Sequence, residues 1–363
     1  MMKSTLVNNP SAYCVVMAGG IGSRFWPISR AEKPKQFLDI FGSGKTMLEE
    51  TCDRFEGLVP FDNFLIMTGE KFEEQTLRLV PALRPAQVLT EPERRNTAPA
   101  IAYAAYKVFS IDPEAVMIIT PSDHFIGDEK AFRDTMNRAI AYAAEHDELL
   151  TIGIKPTYPA TGYGYIEAAA LRESKDGIAK VTRFKEKPAI EEAKELLRDG
   201  RYLWNSGMFV WKARVIVEAL EKHLPEVAAG FAEISDFSAA GSVEKVRRAF
   251  TESPSISIDY GVMEKADNVS CVLGDFQWDD VGTWNSLQRL EERMDLKDSK
   301  CLFAEDSPDT IVRTTTPGKK VVAIGLKDYV VVDTDDILFI APKEDESRLH
   351  DYLKRYARET GAE

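Results

Sequence analysis

The stretch CVVMAGGIGSRFWPISRAEKPKQFLDIFG, Cys14–Gly42, decides the fold. It opens in an apolar run, Tyr13–Ala18, that reads as a buried strand. Gly19, Gly20 and Gly22 follow directly, and then Arg24, Arg30, Lys33 and Lys35 against Glu32 alone. Glycine tolerates positive φ and lets the backbone approach closely, so successive N–H groups can converge on an anion. Arg24 can fork onto phosphate oxygens, and Lys35 returns a point charge. Pro27 and Pro34 stiffen the rest of the segment. A strand running into such a loop is expected of an α/β protein that binds phosphate.

Two familiar phosphate loops do not fit. The dinucleotide pattern G-x-G-x-x-G finds Gly20 and Gly22 but meets Phe25 at its third position. The pattern G-x-x-x-x-G-K-[ST] nearly matches at Gly44, Lys45 and Thr46, but Asp39 stands where its first glycine belongs. A carboxylate there repels phosphate. That segment reads as a turn before a helix over Thr46–Phe55, with Thr46 as N-cap and Glu49 completing a capping box.

Further strands are expected at Phe64–Thr68, Val116–Thr120 and Leu149–Gly153. Helices are expected at Asn96–Ser110, capped by Thr97, and at Lys130–His146. Strands alternating with helices imply parallel pairing and a doubly wound α/β sheet, which binds ligands outside the carboxyl ends of its strands. Ala18–Arg24 and Pro121–His124 fall on that rim. From Tyr163 onward, Tyr163–Glu167, Ile178–Lys185 and Gly207–Trp211 read as short strands of an inserted β region. Ala213–His223 and Ser242–Thr251 read as helices. Charge rises near Glu292–Lys300, so a boundary is set there: residues 1–292 form one domain and 293–363 a small β domain. The latter carries strands at Thr310–Arg313, Lys320–Leu326, Tyr329–Asp333 and Ile337–Ala341. A closing helix aligns Leu349, Tyr352, Leu353 and Tyr356 on one face.

The 363 residues carry a net charge of −13, which excludes a broad basic surface for nucleic acid. No apolar run reaches the length of a membrane span, and Met1–Pro10 is short and polar, without the apolar core of a signal peptide. Cys14, Cys52, Cys271 and Cys301 show no metal-ligand spacing and read as reduced thiols in the cytoplasm.

The glycine loop, G-G-x-G-x-R-x-x-P with a later K-P-K-Q, resembles the signature of sugar-phosphate nucleotidyltransferases. TEPERRNTAPAI (Thr90–Ile101), PSDHFI (Pro121–Ile126), TGYGYIE (Thr161–Glu167), FKEKP (Phe184–Pro188), WNSGMFVW (Trp204–Trp211), SIDYGVMEK (Ser257–Lys265) and WDDVGTW (Trp278–Trp284) follow in the order of the mannose-1-phosphate guanylyltransferases. The resemblance spans about residues 12 to 342. It implies a Rossmann-like mixed sheet of the nucleotide-diphospho-sugar transferase type, a small C-terminal β domain partly like a turn of β-helix, and a monofunctional enzyme without a C-terminal isomerase domain. The terminal helix could serve a homodimer or pack within its own chain.

The implied reaction joins GTP and α-D-mannose 1-phosphate to give GDP-mannose and pyrophosphate. Both reactants are anions, so positioning and electrostatics should carry the rate. The resemblance assigns Arg24 to the departing pyrophosphate and Lys35 to the α-phosphate, with Gly19, Gly20 and Gly22 cradling the nucleotide. It gives Mg²⁺ to Asp123 and Asp280. Asp279 is passed over because the pattern W-x-D-x-G selects the third position. His124 reads as a structural partner rather than a ligand.

Guanine presents N1–H and N2–H₂ as adjacent donors that one carboxylate can accept. Glu91 suits that edge, with Asn96 and Thr97 near the base or ribose. Glu186 and Asn205 suit sugar hydroxyls, Gly164 leaves room for the ring, and Lys187 could meet the sugar phosphate. Tyr163, Tyr165, Trp204 and Trp211 read as core. Asp259, Tyr260 and Glu264 belong to the resemblance without a derivable role. The rival readings are a guanylyltransferase for another sugar 1-phosphate, and a non-catalytic paralogue that binds nucleotide sugar.

Overall fold

The computed structural model describes residues 11–20, 22–168, 171, 174, 176–239, 241–294, 302–316 and 318–360. Cys301 and most of the expected boundary at 292–300 lie outside them. By contacts the chain divides into two units that interleave along the sequence. One gathers Met1–Gly19, Glu49–Ser122 and Ile126–Trp278, and the other Gly20–Leu48, Asp123–Phe125 and Asp279–Glu363. The boundary expected from the sequence lies after residue 292, and the two units exchange segments at several points along the chain.

The larger unit is built on a mixed sheet. Its main path runs Val88–Glu91, Phe64–Gly69, Ala12–Met17, Val116–Pro121, Tyr202–Lys212, Leu149–Ile154, Val269–Gly274, Ile178–Lys180. The first four strands are mutually parallel. Their runs of Val, Ile, Leu and Met are buried on both faces, as helices covering a parallel sheet require. One such helix, Thr97–Ile111, is rich in alanine; Ala98, Ala102, Ala104 and Ala105 are wholly buried in the main core. From Ala12–Met17 the chain builds outward to Phe64–Gly69 on one side and Val116–Pro121 on the other. That reversal is the switch point where α/β sheets bind ligands, and Gly19 lies just past it. Among the described residues no helix is long and apolar enough to cross a membrane.

Several expectations are corrected here. Gly207–Trp211 is not part of an inserted region. It ends an eleven-residue strand, Tyr202–Lys212, that runs antiparallel between Val116–Pro121 and Leu149–Ile154 at the centre of the sheet. Ile178–Lys185 is two strands, Ile178–Lys180 and Arg183–Lys185, which pair with different neighbours. A helix at Pro225–Ala232, with proline in its first turn, had no expectation. The cap of the alanine-rich helix is Asn96, whose side chain accepts from Thr97 N, rather than Thr97.

The smaller unit has its own core, with Phe25, Phe125, Trp284, Leu287, Ile311 and Val332 among its buried members. Leu302–Glu305 runs parallel to Val321–Ile324, and Ile311–Thr314 parallel to Tyr329–Asp333. Both ladders pair residues 19 apart, as Thr314 and Asp333 are, so one coil of chain stacks on the next. Leu338–Pro342 closes the second ladder antiparallel. The terminal helix, Leu349–Thr360, buries Leu349 and leaves Tyr352 and Tyr356 exposed.

Candidate functional site

In the smaller unit the glycine loop folds around Lys35. Gly22 has φ 64°, and a Cβ there would run into the Lys35 Cβ and stand 3.1 Å from Ser29 Oγ. Gln36 Nε2 donates to the Gly20 carbonyl at 3.0 Å. Arg24 sits exposed in the short turn Ser23–Phe25, while the neighbouring Phe25 ring is buried 4.9 Å from Trp284. The Lys35 side chain is only 3% exposed. Its Nζ donates to Asp123 O at 2.9 Å, Asp123 Oδ2 at 3.1 Å and Asp280 O at 2.8 Å. An ammonium has three protons, and these three acceptors match them.

The lysine thus joins two aspartate turns that lie 88 and 245 residues further along the chain. Crowding by protein opposes ionisation of Asp123, but Lys35, His124 and Arg24 outweigh it and hold the carboxyl below the usual range. His124 Nε2 lies 3.9 Å from Asp123 Oδ1, which suits the structural role expected for it. Asp280 Oδ1 accepts from Gly282 N at 2.9 Å, and a Cβ at Gly282 would come within 2.7 Å of Asp280 Oδ2. Asp279 is buried, and its carboxylate accepts from Val281 N at 2.8 Å. Burial pushes its pKa up to about 6. It is a turn former.

Two carboxylates carrying oxygen donors fit a hard divalent cation that takes its remaining ligands from phosphate and water. Among the described residues no group of three or more His, Cys, Asp or Glu side chains could hold a metal by itself. The segment around Gly44 is closed to phosphate: Asp39 accepts from Ser43 N at 3.0 Å and from Gly44 N at 2.8 Å.

In the larger unit Glu91 ends a strand beside Gly19. A Cβ on Gly19 would fall 2.5 Å from Glu91 Oε1, so the close approach needs glycine. Burial raises the Glu91 carboxyl to about 7, against an opposing pull from Arg94. Asn96 adopts φ 67° to cap its helix. The Thr97 hydroxyl accepts from Ile258 N at 2.9 Å, so it is committed to the segment that leads into Asp259.

The sugar candidates converge. Gly164 has no room for a side chain: a Cβ would stand 2.5 Å from Glu186 Oε2 and 3.4 Å from Asn205 Cβ. Asn205 sits at a register shift in the central strand, where Gly207 takes φ 70°. Such a bulge re-aims side chains. Asn205 Nδ2 donates to Asp259 Oδ1 at 2.8 Å. Burial, with the Glu186 carboxylate nearby, raises Asp259 to about 6. Lys187 lies beside Glu186, its Nζ 2.9 Å from Oε1. Tyr163, Tyr165, Trp204 and Trp211 are buried, as core residues should be. Thr151, whose Oγ1 donates to Asn205 Oδ1 at 2.8 Å, and the tie between Asn205 and Asp259 are the additions that sequence reasoning did not supply. SIDYG marked Asp259 as notable, but nothing local tied it to Asn205.

The model of the nucleotidyl transferase family matches residues 13–297. A Sinorhizobium fredii protein named mannose-1-phosphate guanylyltransferase is 36% identical over 359 residues, spanning 96% of this chain and 68% of that one. An Escherichia coli protein of the same name is 35% identical over 354 residues, spanning 95% and 74%. A crystal structure from Thermus thermophilus, described as mannose-1-phosphate geranyltransferase, superposes with a TM-score of 0.80 at 32% identity, over 95% of this chain and 99% of that chain. With the match running from the first strand of the sheet past Asp280, the chain belongs to the nucleotidyl transferase family.

Proposed function

We propose that this protein transfers GMP from GTP to α-D-mannose 1-phosphate, releasing pyrophosphate and forming GDP-mannose. The observation that carries the reading is Lys35: a buried ammonium on the glycine loop that ties together Asp123 and Asp280. The names of relatives aligned over nearly the whole chain support the same activity.

In the reaction an oxygen of the sugar phosphate forms a bond to the α-phosphorus of GTP. The bond from that phosphorus to the bridging oxygen breaks, and pyrophosphate leaves. The nucleophile is already ionised, so no general base is required. The protein must neutralise charge and hold the line of attack. Arg24, exposed on the loop, serves the departing pyrophosphate. Lys35 keeps Asp123 ionised and fixes both aspartate turns. Asp123 and Asp280 would hold Mg²⁺, which when bound shields the phosphate charges. Gly19, Gly20 and Gly22 cradle the nucleotide with their backbone N–H groups. Glu91 accepts from guanine N1–H and N2–H₂, and adenine offers no such donor pair. Glu186, Asn205 and Lys187 take the sugar phosphate, with Glu186 and Asn205 packed closely against Gly164.

We place the protein in the cytoplasm as a homodimer. Val322, Ile324, Leu338 and Ile340 are all more than half exposed on the C-terminal strands, which supports a covered surface there. Sedimentation equilibrium reads the subunit count.

The direct test is pyrophosphate release with Mg²⁺, GTP and a panel of sugar 1-phosphates. Turnover should be far highest with mannose 1-phosphate and should vanish in Asp123→Ala. Preference for another sugar would keep the chemistry and reassign Gly164, Glu186 and Asn205. Tight GDP-mannose binding without turnover would make the protein a binding subunit.

A further inference from the structure

The glycine loop is also held from the last part of the chain, within the same unit. Arg30 Nη1 donates to Asp336 Oδ2 at 2.7 Å, and Nη2 donates to Asp336 Oδ1 at 2.6 Å. Two parallel bonds to one carboxylate fix orientation as well as distance. Nη2 also reaches Thr334 Oγ1 at 3.2 Å, and Nε donates to the Pro27 carbonyl at 2.9 Å. The receiving turn is closed on itself: Thr334 N donates to Ile337 O at 2.8 Å, and Ile337 N donates to Thr334 Oγ1 at 3.0 Å. Beside this clamp, the Trp26 ring meets Phe339 edge-on at 5.4 Å and Tyr356 at 5.8 Å. Arg30 lies between Arg24 and Lys35 in the loop, and exchanges backbone bonds with Lys33 at 3.1 Å in both directions.

We infer that the turn Thr334–Ile337 is a positioning device for the phosphate loop, acting through the Asp336–Arg30 pair on the placement of Arg24 and Lys35. Asp336 and Arg30 touch no reacting atom in this scheme. The Asp336 side chain is 60% exposed and that of Arg30 28% exposed. Exposed ion pairs add little to global stability, so a forked, doubly anchored pair matters here for where it holds the loop. Small misplacements of charge-stabilising groups are costly to rate even when the fold is intact. The inference rests on the reading of Arg24 as a group that acts on phosphate and of Lys35 as the group that fixes Asp123 and Asp280.

The test uses the full chain and measures kcat, both KM values and Tm. The series is Asp336→Ala, Asp336→Glu, Arg30→Ala, the double Ala variant, Arg24→Ala, Lys35→Ala and the control Asp134→Ala. The control breaks an exposed pair with Lys130 elsewhere and should leave turnover unchanged. Asp336→Ala should lower kcat about fivefold to twentyfold, with both KM values within about twofold and Tm close to that of the control. Asp336→Glu should recover most of the loss. The double variant should be no worse than Arg30→Ala, because that single variant already removes the whole Asp336–Arg30 pair. Wild-type kcat in Asp336→Ala, or losses that multiply in the double variant, would overturn the inference while leaving the site reading intact. Wild-type turnover in Arg24→Ala and Lys35→Ala would instead sink the site reading, and the positioning role with it.

Discussion

Asn205 Nδ2 donates to Asp259 Oδ1 at 2.8 Å, while Asn205 Oδ1 accepts from Thr151 Oγ1 at 2.8 Å and from Gly207 N at 3.2 Å. The amide is therefore oriented from both ends, and one aspartate of the cluster is aimed by it. Asn205→Asp would replace the donor with an acceptor and set a third carboxylate beside Asp259 and Glu186. KM for mannose 1-phosphate should rise at least about tenfold with KM for GTP little changed, and stability should fall by about 1–3 kcal/mol. Steady-state kinetics and urea unfolding check both. An unchanged sugar KM would remove Asn205 from sugar recognition.

Glu91 predicts a pH dependence. Its pKa is raised to about 7 by burial, so the free protein binds a proton there near neutrality. Guanine needs the ionised form, because both of its facing groups are donors. As pH falls below about 7, KM for GTP should rise, approaching tenfold per pH unit. Glu91→Gln should raise KM for GTP and flatten its pH profile. The same shift has a stability consequence. A raised folded pKa means the folded state binds more protons between the ordinary carboxyl range and about 7, so Glu91 costs stability that appears as pH rises through that window. Glu91→Gln should therefore gain Tm at pH 8 relative to wild type, and less at pH 5. A KM for GTP that is flat between pH 6 and 8 would argue against the guanine contact.

Gly164→Ala places a methyl group 2.5 Å from Glu186 Oε2. The carboxylate must move, since that separation is far inside van der Waals contact. The expected result is a higher KM for the sugar phosphate at nearly constant GTP affinity. Isothermal titration with each substrate separates the two.

Lys35→Met keeps most of the apolar stem and removes all three donated bonds to Asp123 and Asp280. Asp123 loses its strongest counter-charge, so its carboxyl should titrate higher than in the wild type. Asp123 keeps 35% of its side-chain exposure, so the stability loss should stay below about 3 kcal/mol. Turnover should fall by about a hundredfold or more, as for loss of a charge-stabilising donor. A folded Lys35→Met protein with wild-type kcat would reassign the lysine to packing alone.

Asp39→Ala separates the loop that we propose binds phosphate from its look-alike. Asp39 holds Ser43 N and Gly44 N, so its loss should cost about 1 kcal/mol of stability. It should leave kcat and KM for GTP unchanged, which a thermal melt and an activity assay read directly.

The glycine-loop residues that we propose meet phosphate were legible because their chemistry is written locally. Gly19 and Gly22 declare close backbone approach, which the structure bears out, and the density of Arg and Lys after an apolar strand points to an anion. Asp123 was legible as an acid just past a strand end, and Asp39 as a defect in the competing pattern. The alternation of strand and helix sufficed for the parallel half of the sheet. The helix cap was misplaced by one residue, because Asn and Thr both cap well and only the three-dimensional partner of the Thr97 hydroxyl, Ile258 N, distinguishes them. Gly207 misled in the same way: it resembled the start of a short strand, whereas it marks a bulge inside a long one.

The sequence by itself determined the α/β class, the glycine-rich and cationic character of the loop and the residue types available for chemistry, since period, propensity and glycine content act over a few neighbouring residues. Only the tertiary structure decided that Tyr202–Lys212 enters the centre of the sheet antiparallel, that Asn205 aims Asp259, and that Lys35 binds acceptors 88 and 245 residues away. Those choices depend on which distant groups can satisfy a buried donor or acceptor. An unpaired ammonium or amide in the interior is so costly that the fold as a whole must supply its partner, and no local pattern names that partner in advance.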